Sequence, residues 1–172
     1  MIGITDFRII PDTSDEHLPP GVSPAQTVCS IALRKAENVS LSCGFDDIII
    51  AADTLVFLDG CPLGKPEDRE DAKRMLSKLS GKQHTVYTGL AIMRGNIKVS
   101  GAEATDVFFR EILADEISAY VSTGEPMDKA GSYGAQGRGA VFIERIEGDY
   151  FNVVGLPLCR LSIMLRSFGV NI

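Results

Sequence analysis

Five apolar residues in a row, Ile48-Ile49-Ile50-Ala51-Ala52, run straight into Asp53 and Thr54. This junction constrains the fold more than any other stretch, because such a run fits a strand covered on both faces. Asp59-Gly60 then reads as a hairpin-like turn, and the returning chain offers Gly64-Lys65-Pro66. A strand that carries a carboxylate out of a core and comes back with a lysine can build an acid/base and anion site. Neither charge sits in the polar setting where charges are easily solvated.

The 172 residues suit one domain, with 45% hydrophobic and 23% charged residues, the composition of an ordinary globular protein. No apolar stretch approaches the roughly 20 residues that span a bilayer, and no cationic leader precedes an apolar segment. A cytoplasmic protein without membrane association is expected. A net charge of −6 argues against a nucleic-acid partner but leaves room for a small anion in a local basic pocket. Cys29, Cys43, Cys61 and Cys159 are scattered without C-x-x-C spacing, so reduced thiols are expected rather than a zinc site or a disulfide frame.

Along the chain, Phe7 to Ile10 reads as a short strand stopped at Pro11, and an acidic loop, Asp12 to His17, follows. Ser23-Pro24 then opens a helix whose Val28, Ile31, Ala32, Ala36 and Val39 share one face. Ile48 to Ala52 is a strand, Glu67 to Leu79 a helix, and His84 to Met93 a strand turned at Gly95-Asn96 into Ile97 to Ala102. A further strand is expected over Thr105 to Phe109, a helix over Asp115 to Val121, β structure over Val141 to Ile146, and a last helix from Pro157. This alternation predicts a mixed α/β domain without an internal boundary.

Asp53 is either a cap or turn carboxylate, or an acid at a strand end facing a cleft, where it could hold a metal ion or take a proton from water. Lys65, between a glycine and a proline, is aimed rather than merely solvated. Lys35 lies on the apolar side of its helix, where an aliphatic stem can snorkel along the core. Glu16, beside Asp15, reads by itself as a solvated loop charge. Residues 128–139, DKAGSYGAQGRG, point either to close backbone approach or to a mobile linker. The segment lacks the G-x-x-x-x-G-K-[ST] order of a Walker loop, and His17 and His84 complete no Ser-His-Asp triad.

Several ordered blocks together carry a family resemblance: Asp15-Glu16, Ala32-x-x-Lys35-Ala36, Ala51-Ala52-Asp53-Thr54 and Leu63-Gly64-Lys65-Pro66. Leu79-Ser80-Gly81 with His84 and Thr88-Gly89 comes next, then Gly124-Glu125-Pro126-x-Asp128-Lys129-Ala130-Gly131. Tyr133-Gly134-x-Gln136-Gly137 and Asn152-Val153-x-Gly155-Leu156-Pro157 complete the series. From residue 3 onward the chain resembles the Maf family of nucleoside triphosphate pyrophosphatases. The resemblance implies an α/β fold like that of inosine triphosphatases, with a mixed central sheet, flanking helices and a cleft between two lobes. It implies hydrolysis of a nucleoside triphosphate to monophosphate and pyrophosphate with a divalent cation, Mg²⁺ or Mn²⁺.

By the same resemblance Asp53 accepts a proton from the attacking water, and Glu16 joins Asp53 in holding the metal. Lys35 and Lys65 pair with the triphosphate, while Thr54 and Gln136 help select the base. The Tyr-Gly-x-Gln-Gly form is similar to that of the dTTP/UTP branch. The family has been tied to septum arrest in bacterial division, and homodimers are common in it. Its members begin with a strand and a loop of roughly Ser-x-Ser-Pro-Arg-Arg that has no counterpart here. The expectation is therefore either a start lying upstream of Met1 or a form with weak or no turnover, the alternative function being a nucleotide-binding regulator.

Overall fold

A computed structural model describes residues 4–12 and 21–171. The element order is α1 (Pro24–Ser40), β1 (Ile49–Leu58), β2 (Cys61–Leu63), α2 (Arg69–Leu79), β3 (Gln83–Arg94), β4 (Ile97–Phe109), α3 (Ala114–Ser122), β5 (Ile143–Glu147), α4 (Tyr150–Val154) and α5 (Leu158–Arg166). The five strands form one antiparallel sheet in the order β2-β1-β3-β4-β5. The expected α/β fold, a central sheet with flanking helices, is what the chain adopts.

Local chemistry explains the boundaries. Ser23 caps α1 in a capping box with Gln26, and Pro24 occupies the first turn. Asp59 and Gly60 both have positive φ, the backbone of a two-residue turn that matches strand twist. The turn pairs Val56 with Leu63 and Leu58 with Cys61. Asp68, missed in the sequence, caps α2 by accepting from the Asp71 N–H.

Three expectations need correction. Phe7 to Ile10 is not a strand: Phe7 and Ile9 are 65% and 86% exposed, and none of the five strands pairs with them. Extended backbone becomes a strand only beside a ladder partner. The two strands expected between Ile97 and Phe109 are one, because nothing at Glu103-Ala104 breaks the ladder. A short helix, α4, stands where the sequence suggested none, capped by Asp149 and ended by Gly155 at φ 106°.

The chain divides into two compact units. The first comprises the chain through Asp53, Thr88–Glu103 and the chain from Leu156; the second comprises Thr54–Tyr87 and Ala104–Gly155. The expected single domain showed no linker because β1, β3 and β4 each donate residues to both units.

In the first unit, alternation along the strands sorts residues to two faces. Ile49, Ala91 and Met93 pack with Ala32 and Ala36 of α1, whereas Leu90 and Ile92 pack with Leu161, Leu165 and Phe168 from α5 and its end. Gly89 makes the α1 contact close: a Cβ there would lie 2.2 Å from the Val28 carbonyl oxygen. The second unit has its own core of Val56, Leu76, Leu79, Val107, Phe109 and Phe142 among others. There Asn152 is buried, and its side-chain amide donates to the Val86 carbonyl at 3.0 Å and the Thr105 hydroxyl at 2.9 Å.

Candidate active site

Asp53 belongs to the same strand face as Ile49 and Ala51, four and two residues before it, and both of those pack toward α1. Lys35 comes from that helix. Its Nζ donates to Asp53 Oδ1 at 2.7 Å, with the two side chains 20% and 6% exposed. The lysine stem does run along the core, as its position suggested, and the ammonium ends on the carboxylate. Asp53 is neither a helix cap nor a turn residue, and it does not end a strand: β1 continues five residues beyond it. Isolated carboxylates are rarely buried because desolvation is costly, and a contacting ammonium offsets that cost. The first unit therefore holds an acid in a dry setting with a fixed cation beside it.

Thr54, Lys65 and Gln136 belong to the second unit. Thr54 is half-buried next to Gly155; a Cβ on that glycine would come within 3.3 Å of its hydroxyl oxygen. Lys65 is exposed just after β2, in a loop tied down where the Gly131 N–H donates to the Gly64 carbonyl at 3.0 Å. Asp128 is held below the usual carboxylate range, first by the hydrogen bond from Lys129 and in smaller part by the charge of Lys65. Gln136 is exposed on the glycine-rich segment. Glu16 lies outside the described residues.

The glycine-rich segment is no mobile linker. It contains 3₁₀ turns over Glu125–Asp128, Ala130–Ser132 and Arg138–Phe142, and its stretch 134–139 lies against the Glu125 carboxylate. A Cβ on Gly137 would sit 2.2 Å from Glu125 Oε1, so the close approach that the glycines permit is to this protein's own side chain. Sequence reasoning missed Glu125 and its partner Tyr120. The spacing of Gly131, Gly134, Gly137 and Gly139 was the signal that something lies against that backbone.

It also left His84 without a role. His84 is 2% exposed, its Nε2 shares a 2.8 Å hydrogen bond with the Tyr133 hydroxyl, and its ring packs edge-on to Phe109 and Tyr133. Burial lowers its pKa to about 4, against the opposing pull of Asp106. Burial likewise pushes the Tyr133 hydroxyl up.

A cavity of about 600 Å³ in the first unit contains none of these residues. Its lining is largely apolar, including Ile4, Phe7, Ile48, Ile49 and Val170, and among the described residues its one lining cation, Arg8, lies 3.6 Å from Asp47. That chemistry does not suit a polyphosphate. Among the described residues, no group of three or more His, Cys, Asp or Glu side chains could hold a metal ion. A single carboxylate such as that of Asp53 has the chemistry of a hard oxygen donor, the kind that suits a divalent cation bound by one or two carboxylates together with substrate phosphates.

An antiparallel five-stranded sheet with helices against it, and a buried strand aspartate met by a helix lysine, characterise this chain. The sequence profile described as Maf-like protein matches residues 1–168, and the chain belongs to the Maf family. It is 50% identical, over its whole length and 90% of the relative's, to the "dTTP/UTP pyrophosphatase" of Pelotomaculum thermopropionicum. A protein of the same name from Symbiobacterium thermophilum is 48% identical over all of this chain and 88% of its own. One from Bacillus anthracis is 45% identical over 96% of this chain and 86% of its own.

Proposed function

We propose that this chain hydrolyses dTTP and UTP to the nucleoside monophosphate and pyrophosphate. The structural observation that carries the reading is the buried Asp53–Lys35 contact of 2.7 Å, which the relatives' shared name complements. Water attacks the α-phosphorus while Asp53 accepts its proton, and the pyrophosphate oxygen leaves with the bond electrons. Lys35 keeps the carboxylate in place, and its ammonium charge pairs with the phosphate oxygens. Lys65 is the second cationic contact, on a loop stiffened by Pro66 and by the hydrogen bond at Gly64. Cationic groups fixed in advance stabilise charge where it develops on the leaving group.

Gln136 offers an amide donor and an acceptor to the O4 and N3–H edge of uracil or thymine, with Thr54 as the other base-selecting group. Asp53, with Glu16, is assigned to a divalent cation, Mg²⁺ or Mn²⁺, which neutralises phosphate charge when bound. No helix among the described residues is long and apolar enough to cross a membrane. A cytoplasmic enzyme, with a homodimer as its assembly, is the reading adopted.

The test is incubation with dTTP, UTP, CTP and GTP plus Mg²⁺, followed by ion-exchange separation of the products. Monophosphate and pyrophosphate from dTTP and UTP are expected. Diphosphate plus phosphate would place the cleavage elsewhere, and binding without any product would favour the nucleotide-binding regulator.

A further inference from the structure

The loop that carries Gln136 is gripped from inside by two side chains with no assigned role. Glu125 follows α3, and its Oε1 accepts from the Tyr120 hydroxyl at 2.9 Å and from the Gly139 N–H at 3.2 Å. Its Oε2 accepts from the Arg138 N–H at 2.9 Å. The Tyr120 hydroxyl in turn accepts from the Gly134 N–H at 3.2 Å. The backbone is thus tied at Gly134 before Gln136 and at Arg138 and Gly139 after it. Between those ties the Gly137 N–H donates to the Gly134 carbonyl at 3.3 Å, closing a turn with Ala135 half-buried and Gln136 exposed at its tip.

We propose that Glu125, acting with Tyr120, is a positioning residue for base selection: it fixes the backbone from which Gln136 reads the pyrimidine. This rests on the reading of Gln136 as the group that meets the base. A glutamine amide presents both a donor and an acceptor, and the orientation in which it is held decides which base edge it matches. Uracil presents C4=O and N3–H, whereas cytosine presents an amino group and a bare N3. An amide on a slack loop can retreat from the wrong edge at little cost. An amide on a fixed loop meets unmatched polar groups at hydrogen-bond distance, and discrimination grows accordingly.

The electrostatics agree with the geometry. Burial alone would raise the Glu125 carboxyl, but the N–H groups of Arg138 and Gly139, the Tyr120 hydroxyl and the Arg138 charge outweigh it and hold it below its ordinary value. Glu125 is therefore an anion at neutral pH, and charge-assisted hydrogen bonds are the stronger kind.

The experiment compares kcat and KM for UTP and CTP in the wild type, Gln136→Ala, Glu125→Ala and Tyr120→Phe, with hydrogen exchange of the Arg138 and Gly139 amides. In Glu125→Ala the preference for UTP over CTP should fall about tenfold, chiefly through a lowered KM for CTP as the penalty on the wrong edge is relieved, with kcat for UTP within about threefold. Both amides should exchange faster. An unchanged preference with fast-exchanging amides overturns the proposal. If Glu125→Ala does not fold, Tyr120→Phe decides: a reduced preference supports positioning, and an unchanged one refutes it. A wild type without preference, or a Gln136→Ala that keeps it, defeats the reading of Gln136 and this proposal together. Preference lost in Gln136→Ala but kept in Glu125→Ala defeats this proposal alone.

Discussion

Asp53 and Lys35 illustrate how a charge is carried into a core at the level of single residues. The carboxylate is 7% exposed, yet the ammonium 2.7 Å away keeps it from being an isolated buried ion. Removing only the cation is the severe change. Lys35→Met should destabilise the protein by about 3 kcal/mol, read as a lower urea midpoint, whereas an exposed lysine would lose less than about 1 kcal/mol. A second residue-level expectation concerns His84. Its pKa of about 4 in the fold lies below the ordinary imidazole value of 6.5, so the unfolded chain binds the extra proton between those values. Its stabilising influence is complete above pH 6.5 and is lost as pH falls toward 4. The loss amounts to about 3 kcal/mol. Urea midpoints across that window should drop in the wild type and flatten in His84→Gln; an equal slope in both proteins would refute the assignment.

Elements place these residues. Alternation along β1 puts Ile49, Ala51 and Asp53 on one face, and α1 lies against that face closely enough for Lys35 to reach. The closeness depends on Gly89, where any Cβ would strike the Val28 carbonyl. Gly89→Ala should therefore move the helix and destabilise the fold by about 2 kcal/mol, with a fall in turnover, measured by denaturation and pyrophosphate release. Much of this level was legible in the sequence. The Ser23-Pro24 start, the spacing of Val28, Ile31, Ala32 and Ala36, and the Asp59-Gly60 turn are local signals with local causes. Phe7 to Ile10 misled because an apolar, β-favouring composition does not supply a ladder partner. Asp53 was read as a strand end because a carboxylate looks like a break in an apolar run, and Lys35, which makes it tolerable there, is eighteen residues away. The grip of Glu125 on Arg138 and Gly139 was illegible for the same reason: it is a tertiary contact, and only the glycines hinted at it.

For the molecule as a whole, a net charge of −6 means that a polyphosphate is drawn by local cations and not by the overall field. Two compact units share three continuous strands, so a division in space leaves no mark of a linker in composition. The family resemblance reached further than pattern reading, since ordered motif blocks indicated an activity that periodicity could not. The central claim is that Asp53 takes the proton of the attacking water, and single-turnover pyrophosphate release from UTP by Asp53→Asn tests it most directly. Loss of a general base should slow release by about 10²-fold or more while far-UV circular dichroism stays that of the wild type. A folded Asp53→Asn that releases pyrophosphate within about threefold of the wild-type rate would contradict the account.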